Sequence, residues 1–429
     1  MSCFTLFAAS CWLVLAAGSC TSRLSPNASF AERTAAVTLR PADSTDWAYL
    51  SSTGVHTACL SSSNQAPDTG HLDFWPIRRV QMGFRVIDRP GTRMNLDSSR
   101  GPNQIGDILY TANGLLKDLP RSWLPRDAPP PQTPSRLRLV TAPNPSTAHG
   151  YDITFHYDDE VPLHVHTGKA KNIGDGAALA RYGRRTDSVL NAVLLPIDPA
   201  PPAPLDQPTG IVGVAIGSRY IKLVAPWLEY DHSWRHHRNL IHEVAHVYTV
   251  AHTWAQDDGC DDTPRHRPCW NIDEPAGCDS AQLSNNIMDY TANASALTPC
   301  QVGRIHAAIA REGSRQRAFV APDWCDAAGR PPLELRDTFV LRHATDLDRG
   351  IVVQPGGHLE VRCRLSIPAG ERIAVMPGGS LELAGGRVHN SCGRPWGGIY
   401  VGERAGRRGK LVWHEGSSVE TDACVRSRQ

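Results

Sequence analysis

The chain has 429 residues, of which 41% are hydrophobic and 20% charged, so it is too long for one ordinary domain and too apolar to stay disordered. Its formal net charge of +1 offers no field for gathering nucleic acid or an anionic membrane. The body of the chain has no apolar run of the roughly 18 residues that a spanning helix needs, so no transmembrane segment is expected there.

In chain order, residues 1–20 read as an export signal. Phe4 to Ala17 is an apolar stretch of signal-peptide length, although no Lys or Arg precedes it. Ala17-Gly18-Ser19-Cys20 is a small-residue run closed by Cys, similar to a bacterial lipoprotein cleavage box, which would place a lipid on Cys20. The alternative is an ordinary export signal cut nearby. The expected location is secreted or cell-envelope, with membrane contact only through a lipid anchor. Cysteine usage agrees: setting aside Cys3, Cys11 and Cys20 leaves nine of the twelve, four of them between Cys260 and Cys300. That density suits a disulfide-stapled region in an oxidising compartment. Nine is odd, so at least one is unpaired, intermolecular or a metal ligand.

Residues 21–73, rich in Ser, Thr, Ala and Pro, read as a leader or pro-segment. Residues 74–325 read as the next domain, and its regular structure begins with an alternating strand at Arg79 to Ile87. Ile105, Ile108, Leu109, Ala112, Leu115 and Leu116 have helical spacing within Gln104 to Leu119. Strands are expected at Arg136 to Val140, Tyr151 to Tyr157, Val189 to Ile197, Gly210 to Gly217 and Tyr220 to Ala225. The fold class is therefore α+β, a mixed twisted sheet with helices against it. From Gly350 the texture changes. Ile351-Val-Val-Gln-Pro355-Gly-Gly-His-Leu359-Glu recurs 22 residues later as Ile373-Ala-Val-Met-Pro377-Gly-Gly-Ser-Leu381-Glu. Short β runs broken by Pro-Gly-Gly turns at a fixed period suggest a small, all-β, solenoid-like domain over 326–429.

The segment that carries chemistry is Ile241-His242-Glu243-Val244-Ala245-His246-Val247-Tyr248-Thr249-Val250-Ala251-His252. On a helix His242 and His246 project from one face, one turn apart, which suits two nitrogen ligands on a single Zn²⁺. Glu243 can reach a water on that metal as general base. If the helix ends near Tyr248, the chain can turn back and bring His252 as third ligand, leaving an open position for hydrolysis.

These residues resemble the metzincin zinc peptidases, whose motif is His-Glu-x-x-His-x-x-Gly-x-x-His followed by a Met-containing turn; here that turn is Asn286-Ile287-Met288-Asp289-Tyr290. Asp257 to Pro264 and Thr298 to Ile305 resemble the pappalysin (cytophagalysin) branch. The resemblance covers about residues 79 to 315. It implies an upper subdomain built on the sheet and a Cys-rich lower one, with a substrate paired to the Gly210–Gly217 edge strand. It implies that Met288 floors the metal and that Tyr290 ligates it or stabilises the oxyanion. Thr249 departs from the family Gly, at a turn that favours positive φ. The expected disulfides are Cys260–Cys278 and Cys269–Cys300. Relatives in this branch bind structural Ca²⁺ near Asp261, Asp262 and Thr263, so that acidic loop is either a calcium site or a solvated turn. His232, His236 and His237 read as a solvated, His-rich approach to the helix rather than as a second metal site. Cys59, within the presumed pro-segment, is a candidate thiol for a zinc switch that silences the site; the alternatives are a disulfide to the C-terminal region or a free thiol.

The expected activity is that of an exported, monomeric zinc endopeptidase acting on protein or peptide substrates, with no nucleic-acid partner. The rival is a non-catalytic adhesive or scaffolding surface protein stabilised by zinc. A zinc amidase acting on cell-wall peptides is a third reading.

Overall fold

The computed structural model describes residues 37–429 apart from 51–58, 89–95, 159, 161–174, 197–211, 226, 228–235, 255–257, 267–268, 270–279, 328, 422–423 and 427–429. The export signal with Cys20, and also His232 and Cys278, lie outside the described residues. The architecture is mixed α/β, with several sheets and few helices. Among the described residues no helix is long and apolar enough to cross a membrane.

Two short strands come first, β1 (Thr38–Pro41) and β2 (Trp47–Leu50), then one helical turn, α1 (Ser62–Gln65). A six-stranded sheet follows, made of β3 (Arg78–Asp88), β4 (Leu137–Thr141), β5 (Ile153–Tyr157), β6 (Leu190–Pro196), β7 (Val212–Ile216) and β8 (Tyr220–Ala225). β3 runs parallel to β4 along its first half, to β5 along its second, and to β6 on its other edge. Flanked on both edges and covered on both faces, it is nearly continuously buried rather than alternating. β6 continues parallel to β8, and β7 closes the sheet as an antiparallel edge. All five strands expected beyond β3 are present, with ends shifted by a few residues.

The helices are α2 (Gly101–Lys117), α3 (Asp175–Tyr182), α4 (His237–Val247), α5 (Pro299–Ala310) and the short α6 (Arg315–Ala318). α2 starts with Pro in its first turn, where the missing N–H costs nothing. It buries Ile105, Ile108, Leu109, Ala112 and Leu116, the stripe that the spacing predicts. α2, α4 and α5 share one core with Val80, Met82 and Phe84 on one face of the sheet. On the strand's other face Arg85 is fully buried and pairs with Asp152 at 2.9 Å, its Nε donating to Asn191 Oδ1 at 2.8 Å.

Beyond residue 332 the chain passes in turn through three parallel sheets. The first coil is β9 (Leu333–Leu335), β10 (Thr338–Leu341) and β11 (Thr345–Asp346), and the second β12 (Ile351–Val353), β13 (His358–Val361) and β14 (Arg364–Ser366). The third is β15 (Ile373–Val375), β16 (Ser380–Leu383) and β17 (Arg387–His389). In the fourth, β18 (Ile399–Arg404) carries the antiparallel β19 (Arg407–Arg408), followed by β20 (Lys410–His414), β21 (Ser418–Thr421) and the antiparallel β22 (Cys424–Arg426). The 22-residue repeat is a pairing register, Ile351 on Ile373 and Leu359 on Leu381, so like residues stack in columns inside one core. The outer coils pair Leu333 with Ile351 and Ile373 with Ile399, spacings that differ from the central one because the turns differ in length, so only two of the four coils show in the sequence.

Of the expected leader, residues 21–73, the described parts 37–50 and 59–73 pack on the folded body and are not separate from it. β1 pairs antiparallel with β18 and β2 parallel with β20, covering edges that the last coil would otherwise expose. Trp47 packs edge-on against Trp413 at 5.2 Å, and Phe74 stacks on Phe339 at 4.1 Å. Cys59 forms a disulfide with Cys363 of the coil stack, so it is not a zinc-switch thiol. A segment held by strand pairing, core packing and a covalent bond belongs to the folded body. The other described pairs are Cys260–Cys300 and Cys325–Cys392. Cys269 is also disulfide-bonded. The Cys260–Cys300 bond overturns the expected partners of both cysteines. Three such bonds suit an extracellular protein.

The two cores meet at Asp346. Its buried carboxylate takes paired hydrogen bonds from Arg317 of α6 and from Arg364 of β14, and its carbonyl accepts from Arg78 of β3 at 2.9 Å. The Arg317 and Arg78 guanidinium groups also stand over the Trp324 ring, at 4.5 and 5.3 Å. Burial alone would raise the Asp346 carboxyl, but Arg364 and Arg317 outweigh it and hold it well below the usual carboxylate range.

Candidate metal centre

The helix α4 buries Leu240, Ile241, Val244, Ala245 and Val247 against the core and turns His242 and His246 outward, half-buried, on one face. It ends at Val247, with Tyr248 as cap. The next residue, Thr249, has φ of +71°. This is the left-handed conformation that Gly adopts freely, and it costs a β-branched residue about 1–2 kcal/mol. The turn is nonetheless built in the expected way: Thr249 N–H donates to His246 O at 2.9 Å and Val250 N–H to Ala245 O at 3.0 Å. The chain reverses and His252 comes back under the helix.

Three Nε2 atoms then converge. His242 lies 3.0 Å from His246 and 3.1 Å from His252, and His246 lies 3.0 Å from His252. A tetrahedral zinc with Zn–N bonds of about 2.0–2.1 Å would separate its ligands by about 3.3 Å, so the triangle is nearly the size such an ion requires. Both helical imidazoles are oriented from behind: His242 Nδ1 meets Ile287 O and His246 Nδ1 meets Val250 O, each at 2.7 Å. Each carbonyl draws the ring proton to Nδ1 and leaves the Nε2 lone pair bare, as a ligating imidazole needs. Burial lowers all three histidines, His242 to about 3 and His252 to about 4, which keeps them neutral.

The Ile287 carbonyl belongs to the turn Asn286–Tyr290. Asn286 anchors that turn: its Oδ1 accepts from Met288 N–H and its Nδ2 donates to Gln301 Oε1 of α5, both at 2.8 Å. Gln301 also closes the capping box with Thr298 that starts α5. Met288 is fully buried in the shared core next to α4. Tyr290 is 46% exposed, its ring 5.1 Å from His252 and 6.4 Å from His242. Trp254 stacks on His252 at 5.2 Å and touches Tyr290 at 5.1 Å, so the three rings cluster together; an aromatic two residues beyond His252 has no periodic signature in the sequence.

Glu243 points away from the solvent face, toward β7. It is 4% exposed, and the Ala215 N–H donates to its carboxylate. Oε1 lies so close to the strand that a Cβ on Gly213 would stand 2.4 Å from it. Oε2 is buried without a hydrogen-bond partner among the described residues. Burial pushes the carboxyl up to about 8, partly offset by the Ala215 hydrogen bond. A nearby divalent cation would bring it back down. Three converging imidazole nitrogens form a donor set that could hold a metal ion, and the residue after the first of them carries a buried carboxylate oxygen with no hydrogen-bond partner among the described residues.

The remaining sequence candidates are used differently. Cys260, Asp262 and Cys300 also cluster at metal-ligand distances, but the two sulfurs are joined in a disulfide and offer no thiolate. Asp262 accepts from Thr298 Oγ1 at 2.7 Å and from Cys300 N at 3.0 Å, complementing the positive end of α5. Thr263 donates to Asp258, and Asp261 is exposed. His236 and His237 are buried, not solvated, and His236 packs on Trp227 at 4.5 Å.

No protein-family model matches this chain, and no curated protein matches it significantly.

Proposed function

We propose that the protein is a zinc-dependent endopeptidase of the metzincin type, working outside the cytoplasm, with its catalytic domain carried on a short capped β-solenoid. The observation that carries this reading is the convergence of three imidazole nitrogens, supported by the buried, unpartnered Oε2 of Glu243, the residue next to His242 in the chain. His242, His246 and His252 would hold the ion, and three protein ligands leave one position open. Zinc bound there supplies a Lewis acid for the scissile carbonyl and acidifies a water molecule. Glu243 would act as general base, its carboxylate taking a proton from the attacking water and passing it to the leaving amine nitrogen. The Ala215 N–H engages one carboxylate oxygen and leaves Oε2 available to carry the proton. Tyr290, beside His252 and open to solvent, donates to the developing oxyanion. The outer edge of β7 would accept the substrate as an added strand beside Glu243. Resemblance to the pappalysin branch, on the residues named above, points the same way.

The test uses the chain from residue 37 onward, because removing residues through 73 would strip β1, β2 and Cys59. Zinc-loaded protein, its Glu243→Ala variant and a chelated control are incubated with denatured casein and gelatin. Cleavage that needs both Glu243 and the metal is expected. A folded protein that binds one zinc and cuts nothing would favour the zinc-stabilised surface scaffold; cleavage of cell-wall peptides alone would favour the amidase.

A further inference from the structure

The ligand His252 hangs from a turn that this sequence builds with an unfavourable residue, and the structure shows what holds that turn. Thr249 takes φ of +71°, and its carbonyl accepts two hydrogen bonds from one side chain, Arg304 Nε at 3.1 Å and Nη2 at 2.8 Å. The remaining guanidinium nitrogen, Nη1, lies over Gly259, where a Cβ would stand only 2.6 Å away. Gly259 has φ of +74° and is followed by Cys260, which is bonded to Cys300. Cys300 lies one turn before Arg304 on α5, so the helix bearing Arg304 is stapled to the loop that makes room for its guanidinium. A second side chain, Gln316, donates to Val247 O at 3.1 Å. The carbonyls left over at the end of α4 are thus taken by side chains from α5 and α6, and a cation sits at the negative end of the metal-bearing helix.

We propose that Arg304 is a positioning residue for the metal centre, a two-pronged clamp on the Thr249 carbonyl that keeps His252 converged with His242 and His246. The inference rests on the metal-binding part of the proposed function and not on peptide hydrolysis. The forked geometry matters: Lys carries the charge but has no planar pair of donors to hold one carbonyl in a fixed direction. It also makes the clamp specific to a strained turn. Gly at position 249 adopts positive φ without penalty, so a turn built with Gly should persist when the clamp is removed.

The test is a double-mutant cycle read by metal affinity, with Zn²⁺ alone as ligand in competition with a chromogenic chelator. The proteins are the parent, Arg304→Ala, Thr249→Gly and the pair. In the Thr249 background, Arg304→Ala should weaken zinc binding about 10–100-fold, the usual effect of losing an outer partner of a metal ligand. In the Thr249→Gly background the same change should cost no more than about threefold, and Arg304→Lys should fall between parent and Arg304→Ala. The Co²⁺-loaded parent should show a tetrahedral d–d spectrum that weakens in Arg304→Ala and returns in the double variant. Equal zinc affinity in parent and Arg304→Ala, or an equal loss in both backgrounds, would overturn the inference. If Arg304→Ala fails to fold, Arg304→Gln carries the same comparison. A parent that binds zinc but cuts nothing refutes only the peptidase reading, and a parent that takes up no metal refutes both.

Discussion

Gly213 should be a sensitive position for the proposed activity, because it is the strand residue packed against the Glu243 carboxylate. In Gly213→Ala the new methyl would lie 2.4 Å from Glu243 Oε1 and 2.8 Å from its Cδ and Cγ, whereas ordinary contact starts near 3.4 Å. The carboxylate must therefore retreat by about 1 Å, or β7 must leave β8. Retreat is easier, because the obstacle is the end of a side chain, so the stability loss belongs at the low end of the roughly 1–3 kcal/mol typical of overpacking. The retreat also breaks the Ala215 hydrogen bond that aims the carboxylate. A misplacement of that size costs about 100-fold in rate. The three histidines are untouched, so zinc affinity should stay within about twofold. Steady-state hydrolysis of an unstructured peptide, chelator competition and thermal melting, measured on one preparation, separate these effects. Full activity in the folded variant would refute the view that the edge strand aims Glu243. Lost zinc binding would show that the strand supports the histidines instead.

Asp346→Ala leaves the Arg317 and Arg364 guanidinium groups buried without their anion and should cost about 3–5 kcal/mol in urea denaturation. The native Asp346 carboxyl titrates far below its unfolded value of about 3.9, so its stabilisation is complete above that pH and is lost as pH falls toward the depressed value. The difference in stability between the native protein and Asp346→Ala should therefore be constant from pH 5 to 8 and shrink only in acid below about pH 4, and a difference that changed around neutrality would contradict this. Replacing both Cys59 and Cys363 by Ser should lower stability by about 2–5 kcal/mol and leave zinc affinity unchanged, whereas a rise in peptidase activity would revive the switch. Tyr290→Phe, at a half-exposed ring, should melt within about 1 °C of the parent and bind zinc normally while losing about 10²–10³ in kcat. An unchanged kcat would remove Tyr290 from the mechanism.

What could be read from the sequence was local. The four-residue spacing of His242 and His246 is a property of any helix, and the stripe from Ile105 to Leu116 needs only a period of 3.6. The 22-residue recurrence around Pro-Gly-Gly is visible in the sequence and matches the strand register, Ile351 on Ile373 and Leu359 on Leu381. Only tertiary contacts could decide the rest. Nothing near Cys59 in sequence names Cys363, since a disulfide depends on Cα atoms coming within reach, here 5.7 Å, across a separation of 304 residues. The Ser- and Pro-rich composition of residues 21–73 reads as a detachable leader because β1 and β2 are too short to declare a partner and are strands only against the last coil. The acidic loop, similar to a calcium site in composition, has its oxygens taken by Thr298, Cys300 and Thr263. Thr249 reads as a defect because the penalty of a positive φ is intrinsic to the residue. The Arg304 fork that meets its carbonyl comes from a helix more than fifty residues away, through contacts that exist only once the chain has folded.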